Sequence, residues 1–86
     1  MKTYKLVIST PLGHAFEGEV MFLSVRGAEG DLAIMAGHVP FITTVRPCTC
    51  KIILEDDTER CGELESGLLT VGEGETTLLS DSFRWQ

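Results

Sequence analysis

The chain has 86 residues, of which 43% are apolar and 23% charged, and it carries a formal net charge of −6. A length of this order accommodates one domain, so we expect residues 1–86 to form a single domain without a second lobe. The composition is that of an ordinary globular protein and excludes a disordered chain.

The acidic residues are concentrated in the second half of the chain. Residues 55–81 contain nine acids and a single base, Arg60, and no basic stripe occurs in the sequence. Nucleic acid and anionic lipid are therefore poor partners, since both require a positive surface. The longest apolar run, 20–23, is far shorter than the roughly 18 residues that cross a bilayer, so we expect no insertion into lipid. Since the amino terminus also lacks a signal-peptide pattern, the expected location is the cytoplasm.

Short strands separated by turn residues run along the whole chain. No window of ten residues has apolar positions at helical spacing without an interrupting Gly or Pro. The predicted strands cover residues 4–9, 16–26, 32–34, 41–45, 48–55, 58–65, 68–71 and 76–79. Gly18 within the second strand predicts either a bulge or a close approach of the backbone, and the loop 36–40 contains Gly and Pro that a central strand does not tolerate. The pattern predicts an all-β fold, either an antiparallel β-sandwich or a flattened barrel.

Three cysteines and two histidines raise the question of metal binding. They are Cys48, Cys50, Cys61, His14 and His38. Thiolate and imidazole are the ligands that zinc prefers, but one intervening residue on a strand puts the sulfurs of Cys48 and Cys50 about 7 Å apart, too far for one tetrahedral ion. Apolar thiols are therefore the favoured interpretation. A small metal-binding or redox β domain that uses Cys48, Cys50 and Cys61 stays the alternative.

No arrangement typical of an enzyme is present. The G-x-S-x-G pattern of a nucleophile elbow does not occur. The glycine-containing turns at 27–30 and 72–74 lack a lysine and carry acids that would repel phosphate. The acidic run 55–59 lacks the alternating ligands of a calcium loop. We therefore expect a protein with no catalytic residues, no metal and no cofactor.

The segment 30–42 is unusually apolar for a loop region of a small domain. Met, Phe and Ile flank a Gly-His-x-Pro motif formed by Gly37, His38 and Pro40. Exposed apolar side chains of this kind indicate a partner surface. The alternative is that they fill the core, with His38 hydrogen-bonded at its edge.

Several short motifs follow one another in a fixed order. They are Phe16-x-Gly18, Val25-x-Gly27-x-Glu29-Gly30-Asp31-Leu32-x-Ile34, Gly37-His38-x-Pro40, Thr43-x-x-x-Pro47, Gly67-Leu68-Leu69-x-Val71 and Thr77-Leu78-Leu79-x-Asp81. In order and spacing this series resembles the amino-terminal domain of the epsilon subunit of F-type ATP synthase. The similarity extends over nearly all of the chain, and the series as a whole is specific.

The resemblance implies a β-sandwich of about ten strands that serves as a non-catalytic part of the central stalk. Such a domain packs against the gamma subunit and stands on the ring of c subunits at the cytoplasmic face of the membrane, where it helps to couple ion translocation to ATP synthesis or hydrolysis. By position, the gamma-facing residues are Thr10, His38, Phe41, Ile42 and Thr43. Gly30 and Asp31 match the loop that reaches the ring, where Asp31 either faces polar ring loops or caps its own turn.

The sequence departs from the family pattern in three places. Longer members continue as a two-helix hairpin that is associated with inhibition of ATP hydrolysis and, in some members, with ATP binding, whereas this sequence stops at Gln86. We therefore expect neither an inhibitory nor a nucleotide-sensing role. Ala36 stands where many members have Pro, and Cys48 where many have Gly, so we expect local differences at these two positions.

Overall fold

The computed structural model describes residues 2–86, which contain nine strands and no helix. The strands are β1 Tyr4–Thr10, β2 Gly13–Gly27, β3 Gly30–Met35, β4 Phe41–Val45, β5 Cys48–Leu54, β6 Glu59–Leu64, β7 Gly67–Val71, β8 Glu75–Ser80 and β9 Phe83–Trp85. The all-β prediction is confirmed, and only the short β9 is missing from the strands predicted above. Over these residues, no helix is available that could span a membrane.

The strands form one continuous sheet that folds over into two layers. One layer contains β4, β7, β8, β1 and the first half of β2, and the other contains β3, the second half of β2, β5, β6 and β9. β2 belongs to both layers because its 15 residues pair first with β1 and then with β3 and β5. The β2–β3 hairpin therefore extends directly from a strand that begins in the other layer.

The sheet is mixed, because one strand pair departs from the predicted antiparallel arrangement. β1 and β8 are parallel, with Lys5 opposite Glu75 and Ser9 opposite Leu79. Turn residues and apolar alternation predict how neighbouring strands in the sequence pair, but β1 and β8 lie at opposite ends of the chain and no hairpin joins them. Their relative direction is set by the closure of the layer.

The strand irregularities do not lie at Gly18, so of the two alternatives predicted for this residue the bulge is wrong. Gly18 pairs in regular register within the β1–β2 ladder, and the ring of Phe16 lies over it. The register shifts instead at Ile8–Ser9 and at Val20–Phe22. The second shift coincides with the place where β2 passes from one layer to the other, since a bulge bends and twists its strand.

The core lies between the two layers and is built from alternate positions of the strands. Side chains with no solvent exposure are Leu6, Ile8, Val20, Leu23, Ile52, Leu69 and Leu78. Each such aliphatic side chain contributes about 1.5–3 kcal/mol relative to its exposed state. Tyr4 is buried among them, and its hydroxyl donates a hydrogen bond to the backbone oxygen of Ile34 at 2.8 Å. The remaining alternate positions face outward and form the surfaces described next.

Candidate functional site

The outer face of the β4–β7–β8–β1 layer carries two rows of uncharged side chains. Successive side chains on a strand point to opposite faces, so the strand register fixes which residues lie side by side. The first row is Ile42, Thr70, Thr77 and Val7, and the second row is Thr44, Leu68, Leu79 and Ser9. These eight residues are called the neutral face below.

Several apolar side chains of the neutral face are open to solvent. Ile42 is 66% exposed, Leu79 46% and Leu68 38%. Their chain neighbours Leu69 and Leu78 are completely buried, so the layer already has its core contacts on the other side. Within residues 2–86 the exposed apolar surface has no packing role, and such surfaces mark interaction sites.

The outer face of the other layer has a different character. Register and alternation place six charged residues on it: Arg26, Asp31, Lys51, Glu59, Glu63 and Arg84. Covering charges without providing partners is costly, so this face is suited to water. In a chain with 23% charged residues, the neutral face is the one suited to being covered by another protein.

Charged residues begin directly beyond the first row of the neutral face. Lys5 and Glu75 lie opposite each other on β1 and β8, and Lys5 Nζ lies 3.2 Å from Glu17 Oε2. This hydrogen-bonded ion pair raises the pKa of Lys5 and lowers the pKa of Glu17. Lys5 and Glu17 thus neutralise each other at the border, and the eight residues of the neutral face itself carry no charge.

The loop between β3 and β4, residues 36–40, borders one end of the neutral face. Gly37 has a φ of +85°, a conformation that favours glycine, and the His38 backbone N–H donates to Met35 O at 3.2 Å. The ring centroids of His38 and Phe41 are 5.1 Å apart. His38 Nδ1 lies 2.8 Å from the carbonyl oxygen of Val39 and donates to it in the tautomer with hydrogen on Nδ1. The imidazole is therefore oriented by two neighbours, and a groove of about 430 Å³ separates this loop from the β7–β8 turn.

The turn between β1 and β2 borders the opposite end of the neutral face. The Thr10 hydroxyl accepts a hydrogen bond from the Leu12 N–H and donates one to Gly13 O, each at 3.2 Å. Leu12 at the tip is fully exposed. A groove of about 380 Å³ extends from Thr10 to Leu68 and Leu79, so apolar surface continues from the sheet into this turn.

Gly30 and Asp31 lie on the β2–β3 hairpin, at the Val45 end of β4. Gly27 pairs with both Gly30 and Val45, and Gly30 has a φ of +129°, in the region that favours glycine. The exposed carboxylate of Asp31 accepts a hydrogen bond from Arg26 Nε at 3.0 Å. Asp31 therefore bridges the two strands of the hairpin and does not act as a cap of its own turn.

The five residues assigned by position to the gamma-facing side occupy different parts of this surface. Ile42 belongs to the neutral face. Phe41 and Thr43 are half-buried on the other side of β4, where Phe41 packs against the core. His38 and Thr10 border opposite ends of the face. The structure thus places these residues on one layer and its borders without gathering them into one cluster.

Leu68 and Leu79 supply most of the exposed apolar surface in the second row, and neither was predicted to face a partner. A signal was present in the adjacent pairs Leu68–Leu69 and Leu78–Leu79. On a strand, one leucine of each pair has to face away from the core because successive side chains alternate. Alternation cannot tell which leucine faces out without the position of the second layer.

The cysteines lie near one another but on different sides of the β5–β6 pair. Cys50 is buried, Cys61 lies opposite Lys51 on the outer face, and Cys48 Sγ accepts a hydrogen bond from the Arg26 N–H at 3.3 Å. Burial, together with the neighbouring Cys48 and Cys61, raises the pKa of the Cys50 thiol to about 12. Within residues 2–86, no three His, Cys, Asp or Glu side chains are close enough to hold a metal ion. The metal-binding alternative therefore has no support.

Comparison with known families decides the assignment. Residues 3–86 match the family model described as ATP synthase, delta/epsilon chain, beta-sandwich domain. The chain belongs to this family. The resemblance inferred from the motif series is thereby confirmed, and it covers every strand of the fold.

A curated relative supports the same assignment. The ATP synthase epsilon chain, sodium ion specific, of Acetobacterium woodii is 37% identical over 84 residues, which cover 98% of this chain and 63% of the relative. The chain thus spans somewhat less than two thirds of that relative's length.

Solved structures of ATP synthases contain the same fold. A chain in the Euglena gracilis mitochondrial ATP synthase, in a structure of OSCP, F1 and the c-ring in rotational state 1, superposes with a TM-score of 0.91 at 15% identity and covers 96% of this chain and 53% of its own length. A chain in the central stalk and c-ring structure of the Tetrahymena thermophila mitochondrial ATP synthase has a TM-score of 0.76 at 11% identity and covers 92% and 63%. These likenesses establish the β-sandwich fold across distant sequences.

Proposed function

We propose that this chain is a non-catalytic subunit of the ATP synthase central stalk. Its neutral face binds the gamma subunit, and its β2–β3 hairpin contacts the ring of c subunits at the cytoplasmic face of the membrane. It turns with gamma and helps to couple ion translocation to ATP synthesis or hydrolysis. Family membership, a relative named as an epsilon chain and fold neighbours from structures of the stalk and c-ring support this role.

The neutral face is the observation that carries the proposal. Eight neighbouring outward positions hold no charge, although the chain as a whole has a net charge of −6. The cores of protein interfaces are depleted in charged residues. A partner for this face therefore offers an apolar and largely uncharged surface of its own, and gamma is the partner proposed.

A few apolar side chains account for most of the proposed affinity. Ile42, Leu68 and Leu79 are the candidate anchors because they are the exposed apolar residues on β4, β7 and β8. Anchors near the centre of an interface usually dominate binding energy. Charged residues at the border, such as Lys5, then mainly set orientation and specificity.

The other residues assigned to the gamma-facing side differ in whether they contact gamma directly. His38 and Thr10 contact gamma at the two borders of the face. Phe41 packs against the His38 ring, at a centroid distance of 5.1 Å, and so holds it in place. Thr43 lies on the core side of β4 and contributes indirectly, through the hydrogen bond that its hydroxyl donates to Thr44 O at 3.2 Å.

The proposed ring contact uses the end of the domain that lies away from His38. Gly30 and Asp31 sit beside Val45, whereas the His38 loop precedes Phe41 at the other end of β4. A five-residue strand separates these ends by roughly 13 Å. One small domain can therefore contact gamma along its face and the polar loops of the ring at one end.

The fold suits a part that transmits force. Protein interiors are packed as densely as organic crystals, with low compressibility. Here all nine strands are paired into one continuous sheet, and most turns are short. Such a domain deforms little when a force acts between its neutral face and its hairpin.

Co-expression with the gamma subunit from the same source tests the proposal. With a tag on gamma only, we expect recovery of this chain in a one-to-one complex. Thr44→Lys places a charge in the neutral face and should reduce recovery at least tenfold, because a buried unpaired charge is costly. The matched control is Thr49→Lys, in which an exposed strand threonine on the charged outer face is replaced, and this variant should be recovered like the wild type. Absence of wild-type chain from purified gamma would contradict the proposal, as would equal recovery of the two lysine variants.

A further inference from the structure

The tip of the β2–β3 hairpin is fastened to the start of the β4–β5 connection. Ala28 and Glu29 form the exposed two-residue turn. The guanidinium of Arg46 donates from Nη2 to the carbonyl oxygen of Ala28 at 3.1 Å, and the Arg46 backbone N–H donates to Arg26 O at 2.9 Å. Arg46 therefore contacts the hairpin both at its turn and at Arg26, two residues before the turn.

A second set of contacts fixes the side of the same hairpin. Arg26 Nε donates to Asp31 Oδ1 at 3.0 Å, and the Arg26 backbone N–H donates to Cys48 Sγ at 3.3 Å. Arg26 therefore links the two strands of the hairpin to each other, and Arg46 links the hairpin to the β4–β5 connection.

Arg46 also connects the hairpin with the strand that carries part of the neutral face. It directly follows Val45, the buried last residue of β4, and Ile42 and Thr44 on that strand face outward. Val45 pairs with Gly27, the residue directly before the turn. The guanidinium contact is therefore a polar side-chain link between the proposed ring-contacting turn and the layer proposed to bind gamma.

We infer that Arg46 is a positioning residue that fixes the orientation of the Ala28–Glu29 turn relative to the neutral face and thereby prepares it for docking on the c ring. The inference rests on the proposed contact between this hairpin and the ring. Ala28 and Glu29 have no buried side chain to hold them, and the Arg46 guanidinium is the side chain that contacts this turn, so its loss leaves more of the turn's ordering to be done when the ring binds. A segment that is already ordered loses less conformational entropy on binding and binds more tightly.

Backbone mobility of the turn provides the first measurement. Nitrogen-15 relaxation of the amides of residues 28–31 should give order parameters near the rigid value of about 0.85 in the wild type and below about 0.6 in Arg46→Met. Arg84→Met is the matched control, because Arg84 is an exposed arginine on the charged outer face and its side chain makes no hydrogen bond or ion pair within residues 2–86. It should leave these order parameters unchanged. A rigid turn in Arg46→Met would overturn the inference.

Ring binding provides the second measurement, using the complex of this chain with gamma and the purified c ring of the same source. Arg46→Met should weaken ring binding about tenfold, the effect of about 1.4 kcal/mol of added ordering cost, while gamma recovery and the Arg84→Met control stay at wild-type level. Arg46→Lys keeps the charge, so it separates positioning from direct contact. In each variant, turn rigidity and ring affinity should change together; a mobile turn with full ring affinity, or a rigid turn with lost affinity, would overturn the inference. If the wild-type complex does not bind the ring, the ring half of the proposed function fails and this inference fails with it.

Discussion

Trp85 and Ala15, seventy residues apart, are joined by a hydrogen bond from the indole N–H to the backbone oxygen at 3.3 Å. The Trp85 ring also packs edge-on against Phe16 and Phe83, with centroids 6.1 and 4.8 Å away, and the Arg60 guanidinium lies 3.7 Å from its centre. These contacts join β9 to the first part of β2. The short last strand therefore closes the side of the sandwich where the two layers would otherwise part.

Truncation of this ring should cost much of the stability of the domain. Trp85→Ala removes one hydrogen bond, two aromatic contacts and a cation–π contact, and we expect a loss of about 2–3 kcal/mol in the free energy of unfolding. Urea denaturation followed by circular dichroism measures it. Arg84→Ala, the outward-facing neighbour on β9, should stay within about 0.5 kcal/mol of the wild type. Equal midpoints for the two variants would show that β9 does not close the sandwich.

Cys50 should resist thiol reagents in the folded protein. Its pKa of about 12 leaves the buried thiol almost entirely protonated at pH 8, and only the thiolate is nucleophilic. Titration with a disulfide reagent should modify all three cysteines in denaturant and leave Cys50 unmodified without it. Cys50→Ala identifies the protected thiol, because the folded variant should react as the wild type does. Rapid modification of Cys50 in the native state would contradict its placement in the core.

The same thiol should make the domain sensitive to alkali. The folded pKa of Cys50, about 12, lies above the ordinary value of 9.0, so between these pH values the unfolded chain loses its proton and the folded chain keeps it. The free energy of unfolding therefore falls as pH rises above about 9. Burial also raises the pKa of Tyr4 above 10.0, which adds to the loss at higher pH. Denaturation curves at pH 8, 9 and 10 should show this fall, and Cys50→Ala should flatten it.

Gly67→Ala should disrupt the pairing of β7 with β8. A methyl group at Gly67 would overlap the backbone oxygen of Leu79, and a backbone atom inside a sheet cannot move aside. We expect a loss of about 2–4 kcal/mol in the free energy of unfolding, measured as a shift in the urea midpoint. Gly72→Ala, just past the other end of β7, is the control, since its methyl group would lie 3.3 Å from Glu75 O. It should cost less than about 1 kcal/mol.

Substitutions of the neighbours Leu78 and Leu79 should have different effects, one on the stability of the domain and the other on gamma binding. Leu79→Thr removes exposed apolar surface, so it should change the free energy of unfolding by less than about 0.5 kcal/mol yet weaken the gamma complex about tenfold, the size of a moderate interface anchor. Leu78→Thr puts a hydroxyl into the core and should cost about 2–5 kcal/mol. Thermal melts and gamma recovery on the same preparations give both quantities. A Leu79→Thr variant with full gamma binding would remove Leu79 from the proposed contact.

Local features of the fold were predictable from the sequence because their causes are local. The turn at 27–30 and the loop 36–40 are marked by glycine and proline, whose backbone preferences act within a few residues. The apolar alternation of β1 follows from the period of a strand. The motif series around Gly37 and His38 led to the family, which the match over residues 3–86 confirms.

Features that depend on residues far apart in the chain were not predictable. The parallel pairing of β1 with β8 and the hydrogen bond from Trp85 to Ala15 arise only when the sheet closes. For the same reason the resemblance placed Phe41 and Ile42 together on the gamma-facing side, although β4 turns Phe41 toward the core and Ile42 toward solvent. Which side of a strand is covered depends on where the second layer lies.

Because β2 belongs to both layers, it can carry a force from one layer to the other. From Gly13 to Val20 it is paired with β1, and beyond the irregularity at Val20–Phe22 the same backbone runs on to Gly27 at the hairpin. A pull on the hairpin is therefore carried by covalent bonds and loads the β1–β2 ladder in shear. Hydrogen bonds perpendicular to antiparallel strands then resist the load together, whereas a pull across the strands would open them one after another.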